Sequence, residues 1–191
     1  VTRFVEEAIA RAGLLPVLTA RRGGEMDVVR GAIASWRSAD LLALGAVADL
    51  VRAEDEGTEV RIHEGNDDSV LWVDGAPSEL DVLREVAVAR ISSAPGTKVG
   101  IDWGKWGLEL AQVALGFGAT DLRGPITRKS GLPILEDETK KVKGQGMVDL
   151  RSLMKRELAD LVRYAGRLPV FIGEQGKRSD ASSSTQEVAG A

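Results

Sequence analysis

Lys98-Val-Gly-Ile-Asp-Trp-Gly-Lys-Trp-Gly-Leu-Glu-Leu-Ala-Gln-Val-Ala-Leu-Gly-Phe-Gly118 reads as one strand feeding one helix. Lys98 to Ile101 is a short β-branched run, and Asp102-Trp103-Gly104 is the loop that leaves it. From Trp106 to Phe117 the apolar residues recur at helical spacing, with Leu108, Ala111 and Leu115 beside Leu110, Ala114 and Phe117. Gly118 suits the left-handed residue that ends a helix. Just upstream, Ser78-Glu-Leu-Asp81 resembles a capping box, and a helix from there to Ser92 buries Leu80, Leu83, Val86, Ala87 and Ile91. Helix, strand and helix in alternation predict an α/β fold.

Working outward, Glu59 to His63 and Ser69 to Val73 both alternate, with Gly65-Asn66-Asp67-Asp68 between them, which predicts a β-hairpin closed by Asp74-Gly75-Ala76-Pro77. Before it come three amphipathic helices: Thr2 to Ala12, Glu25 to Trp36, and Ala39 to Ala53 with Ser38 as N-cap. Toward the other end, Thr120 to Gly146 loses its pattern while gaining Arg128, Lys129, Lys140, Lys141 and Lys143, and reads as an exposed loop or a rearranged crossover. Asp149 to Tyr164 predicts a final helix and Leu168 to Ile172 a final strand. Residues 1–172 then form one α/β domain, and 173–191, rich in Ser, Gly and Ala without an aromatic, form a disordered tail.

Composition narrows the chemistry. The 191 residues carry 25 Lys+Arg and 29 Asp+Glu, a net charge of −4 that argues against a nucleic-acid binder, which needs a basic surface. With no cysteine, disulfides, cysteine nucleophiles and thiolate metal centres are excluded from these residues. A single histidine, His63, excludes any mechanism that needs two imidazoles. No window is long and apolar enough for a membrane span or a signal peptide, so a cytoplasmic location without membrane contact is expected.

Each candidate motif has a plainer reading beside it. His63 with Glu64 could make a catalytic pair, or be a surface histidine. Asn66, Asp67, Asp68 and Asp74 offer oxygens to a hard cation, but turn chemistry explains them without a metal. Gly100 to Gly107 follows a strand and opens a helix, yet Lys105 is followed by Trp106, so the hydroxyl of a phosphate loop is missing. Trp103 and Trp106 are packing anchors that could also stack on a planar ligand. The basic residues of 128–143 could grip an anion or form a solvated loop.

Three segments, in this order, resemble a known family: Ala39 to Arg52, Leu83 to Ile91, and Leu110 to Gly124 followed downstream by Leu161-Val-Arg-Tyr-Ala-Gly-Arg-Leu-Pro-Val170. They look like the radical S-adenosylmethionine enzymes of the futalosine route to menaquinone, the aminofutalosine synthase and futalosine cyclase family. The resemblance implies a reduced, partial (β/α) barrel with a helical N-terminal lead-in and an inserted hairpin. The family's three-cysteine motif, which holds a [4Fe–4S] cluster, has no counterpart here. The resemblance therefore implies a non-catalytic, cofactor-free pseudoenzyme. It would serve as a partner or metabolite-binding subunit, self-associating or joined to a full-length homologous enzyme. Its ligand, a small anionic or aromatic metabolite, would meet Asp102, Trp103, Thr120, Asp121 and Arg123 at or near strand ends. An alternative from the residues alone is a small acid–base enzyme in which Asp102 and Asp121 work with His63 or Lys105 as proton carrier.

Overall fold

In the computed structural model, which describes residues 3–129, 132–133, 139–149, 151–173 and 178–179, the chain opens with α1 (Arg3–Arg11), α2 (Leu15–Arg22), α3 (Met26–Gly31), α4 (Ile33–Trp36) and α5 (Leu41–Glu56). Strand β1 (Glu59–His63) leads through residues 64–69 to β2 (Val70–Trp72), followed by α6 (Glu79–Ser92), β3 (Lys98–Asp102), α7 (Trp103–Trp106), α8 (Leu108–Leu115) and β4 (Asp121–Arg123). An excursion carries β5 (Ile126–Thr127), β6 (Leu132–Pro133), β7 (Thr139–Val142), β8 (Gly146–Asp149) and β9 (Leu153–Met154). Helix α9 (Lys155–Tyr164) then returns the chain to β10 (Leu168–Ile172) and β11 (Arg178–Ser179).

The main sheet has the order β11-β10-β1-β4-β3-β2, with β10, β1, β4, β3 and β2 all parallel and β11 antiparallel at the edge. Parallel neighbours need a crossover. Helix α6 supplies one between β2 and β3, and α8 supplies one between β3 and β4. Alternation along the strands sorts the side chains onto two faces. Val60, Ile62, Val99, Ile101, Leu122 and Phe171 share one face and pack in a single core with residues of α5, α6, α8 and α9. The other face carries Arg61, His63, Trp72, Asp102, Asp121 and Arg123, aligned by the registers Arg61↔Asp121, Gly100↔Asp121, Trp72↔Gly100 and His63↔Arg123.

The hairpin is the main correction. β1 and β2 are parallel, with β4 and β3 between them. Alternating sequence does not distinguish the two arrangements, because either puts every second residue on the same face. Residues 64–69 instead run as a strap diagonally across the polar face, from the carboxyl end of β1 to the amino end of β2. Its Asp67 carboxylate lies 3.7 Å from His63 Nδ1 at one end of the sheet and 4.0 Å from Lys98 Nζ at the other. The Asp67 carbonyl accepts from Trp72 Nε1 at 3.0 Å and from the Val70 amide at 3.1 Å. Trp72 lies flat over Gly100, where a Cβ would come within 2.4 Å of the indole.

Other elements shift for local reasons. Helix α2 has no counterpart in the sequence reading, and Pro16 sits at its start, where a missing N–H costs nothing. The expected helix from Glu25 to Trp36 divides at Gly31-Ala32, glycine being a poor helix interior. Asp40, not Ser38, caps α5 by accepting from the Ala43 amide at 2.8 Å, and α5 runs on through its acidic end to Glu56. Gly107, with φ at +87°, splits the expected helix from Trp106 to Phe117. The patternless stretch from Thr120 holds β4 at the middle of the sheet, besides the small pairings β5–β9 and β6–β7–β8. The last helix begins at Lys155, not Asp149, because Leu153 is drawn into pairing with Pro125 by its amide and Met154 is capped by Glu157. Most of the tail expected to be disordered, residues 174–177 and 180–191, lies outside the described residues; Arg178–Ser179 pairs with β10. Among the described residues no helix is long and apolar enough to cross a membrane.

Candidate functional site

Asp121 is the fixed point of the polar face. Its carboxylate is fully buried, and each oxygen is engaged. Oδ1 accepts from Arg61 Nε at 2.9 Å and lies 2.7 Å from His63 Nε2; Oδ2 accepts from Arg61 Nη2 at 2.8 Å and from the Thr120 hydroxyl at 2.6 Å. Burial alone pushes this carboxyl up, but the bonds from His63, Arg61 and Thr120 together with the Arg61 charge outweigh it and hold the group below the ordinary carboxylate range. Arg61 also reaches Glu56 Oε2 at 3.1 Å; burial pulls its pKa down, and its two carboxylate partners more than reverse that. Thr120 Oγ1 ties this cluster to Arg90, which is wholly buried and bonds the carbonyls of Gly118 and Thr97. Burial, only partly offset by nearby acidic groups, brings Arg90 down to about 10.

At the carboxyl ends of the strands a second cluster forms around Arg123. Its Nε donates to Asp102 Oδ2 at 3.0 Å, Nη1 to Asn66 Oδ1 at 2.6 Å and Nη2 to Asp74 Oδ2 at 2.8 Å. The guanidinium sits 4.4 Å from the centre of the Trp72 ring, a cation–π stack. Trp72 in turn receives His63 edge-on at 5.4 Å. Asp102 does a second task, accepting from the Gly104 amide at 2.8 Å with its other oxygen and so starting α7.

Beside this cluster, at the strap, is a cavity of about 210 Å³ lined by His63, Gly65, Asn66, Asp67, Asp68, Ile172 and Gly173. Ligands of open parallel sheets bind at the carboxyl ends of the strands, and this is where the cavity lies. Burial burdens Asp67 little; Ser69, donating through hydroxyl and amide, holds its carboxyl below the usual range. Among the described residues no group of acidic and imidazole side chains has a metal-holding arrangement.

The expected ligand residues divide between these clusters. Thr120 and Asp121 meet in the buried one, Asp102 and Arg123 in the partly exposed one, and Trp103 is buried behind them against Gly124. The four side chains of the acid–base alternative are not gathered at one point. Asp121 joins His63, Asp102 joins Arg123, and Lys105 Nζ bonds the Asp74 carbonyl and lies 5.2 Å over Trp106. Sequence reasoning does not single out Arg61, Glu56 or Trp72, and it weighs Asn66 and Asp74 only as oxygens for a hard cation. For Arg61 the signal is present: in Glu59-Val-Arg-Ile-His63 every second residue is charged or polar, and on a strand with neighbours on both sides such residues must find partners across the sheet.

No protein-family model matches the chain. A stretch of 91 residues, 48% of the chain, is 36% identical to aminodeoxyfutalosine synthase of Thermus thermophilus. That stretch spans only 22% of the synthase. The match supports a distant relationship to part of that protein.

Proposed function

We propose that the chain is a radical-inactive relative of aminodeoxyfutalosine synthase. It binds a small metabolite at the carboxyl ends of β1, β3 and β4 and serves the futalosine route to menaquinone as a binding or partner subunit. On this reading the sheet is part of a (β/α) barrel, which carries helices outside and its ligand site at the carboxyl ends of the strands. The observation that carries the proposal is the polar layer at the strand ends: Arg123, Asp102, Asp74, Asn66 and His63 assembled around Trp72, in 191 residues without a cysteine. A cluster of the family's kind needs thiolate ligands. These residues therefore supply recognition through their polar groups. Strand β2, only Val70–Trp72, leaves an open sheet edge with Leu71 exposed, which suits self-association or docking to a full-length homologous enzyme.

The test is a thermal-shift panel of S-adenosylmethionine, adenosine derivatives and aromatic carboxylates on the wild type and Arg123→Ala. A ligand at a hundred times its Kd stabilises by about 2.7 kcal/mol, which for a chain of this size raises Tm by roughly 5–10 °C. At least one compound is expected to do so in the wild type and to lose most of the effect in the variant. A flat panel, or a shift indifferent to Arg123, contradicts the proposal. Light scattering on an eluting size-exclusion peak tests the partner role, and a monomer that ignores the full-length enzyme counts against it.

A further inference from the structure

We propose that the tip of the strap, Gly65-Asn66, is a latch: the Asn66 carboxamide holds Arg123 in the ligand's place, and a ligand enters by exchanging that bond for one to its own neutral carbonyl or carboxamide oxygen. This rests on the reading of the strand ends as the ligand-binding end, and adds how that end opens and which group Arg123 then meets. The strap is tied down on either side of its tip. Before it, the Glu64 amide donates to the Ile172 carbonyl at 3.1 Å, and the Glu64 carboxylate pairs with Lys155. After it, the Asp67 carbonyl accepts from the Val70 amide and from Trp72 Nε1. Between these anchors, among the described residues, the tip makes one hydrogen bond to the sheet: Arg123 Nη1 donates to Asn66 Oδ1 at 2.6 Å. Asn66 is exposed, and its Nδ2 donates within the strap, to Asp68 Oδ1 at 2.8 Å.

Asn66 also lines the cavity at the strap, whose 210 Å³ is smaller than the roughly 300–1,000 Å³ of a small-molecule site. Releasing Asn66 joins that space to Arg123. The guanidinium stays where it is when this happens, because Asp102 holds Nε, Asp74 holds Nη2 and Trp72 backs its plane. Nη1 is then a donor fixed in advance of binding. The one positive charge of Arg123 already faces two carboxylates, so a third anion is repelled while a neutral oxygen is not, and Asn66 Oδ1 is itself such an oxygen. A latch that is mostly closed lowers the apparent affinity by the fraction of molecules that are open.

Proton–nitrogen NMR tests the latch with benzamide as the neutral probe and benzoate as its charged isostere. Benzamide is expected to shift the Arg123 Nε–H and the amides of residues 64–67 saturably, and benzoate to bind about threefold more weakly or worse. Asn66→Ala should tighten benzamide binding by about threefold or more, since it removes the closed state. Without any ligand, the order parameters of residues 65 and 66 should fall from about 0.85 to below about 0.6 in that variant, with Glu64 and Trp72 unchanged. Equal or weaker benzamide binding in Asn66→Ala, order parameters that do not move, or benzoate binding as tightly as benzamide overturns the inference. If the thermal-shift panel yields an Arg123-dependent ligand whose affinity is the same in the wild type and Asn66→Ala, the latch fails alone. If no compound, benzamide included, binds either protein, the ligand-binding reading fails with it.

Discussion

The two faces of the sheet are closed by opposite means. On one, Val60, Ile62, Val99, Ile101 and Leu122 are sealed under helices by apolar burial, which is insensitive to orientation. On the other, Asp121, Arg61, His63 and Arg123 are held by directed bonds, and the strap sets Asp67 beside His63 and Asn66 against Arg123. Apolar burial stabilises wherever volume is kept, whereas an ion pair is harmless only while both members are present. The first face therefore explains why the chain folds, and the second is where it has room to recognise something.

That contrast can be broken most severely at Asp121. Asp121→Ala strands Arg61, His63 and Thr120 and should cost about 3–5 kcal/mol by urea denaturation, as breaking one side of a buried pair does. The double variant Arg61→Met with Asp121→Leu should recover most of that loss; if it does not, the cluster contributes stability of its own. On the apolar face, Leu122→Ala should cost about 3 kcal/mol, mid-range for a buried leucine, and no second substitution among charged residues should rescue it. Gly100→Ala places a methyl where the Trp72 ring lies; the expected loss is about 1–3 kcal/mol, with a change in tryptophan emission as the indole leaves the sheet. Unchanged emission would mean that Trp72 does not hold the strap. The gentlest probe is pH. Asp121 is held below its ordinary value, so its contribution is complete above the unfolded carboxylate value of about 4 and fades as the pH falls through the lower folded value. Asp121→Asn should flatten the acid limb of a stability–pH curve, and an unaltered limb would show that other carboxylates govern it.

How much of this was legible depended on the kind of signal. The unit from β3 to α8, helix α6 and strand β10 were visible because strand and helix periods announce themselves within ten or so residues. β4 was not, since Asp121-Leu-Arg123 is too short to alternate and carries charge on both outer positions. Position in the sheet, not local composition, makes it a strand. The hairpin expectation failed because pairing partners are a non-local property. For the same reason the site was only half visible: Asp102, Asp121 and Arg123 sit in quotable motifs, but the His63–Asp121 bond spans 58 positions and Arg61 looks like any exposed arginine until the sheet is assembled.

The most direct test of the central claim, that recognition belongs to the polar face, is hydrogen–deuterium exchange with and without a compound that stabilises the protein. The account predicts slowed exchange in residues 63–74 and 102–106, at the strap and the strand ends, with α1 to α6, α8 and α9 unchanged outside those residues. Protection confined to the larger cavity, about 390 Å³ between Arg21, Arg22, Glu54 and Asp55 on the helical side, would contradict it.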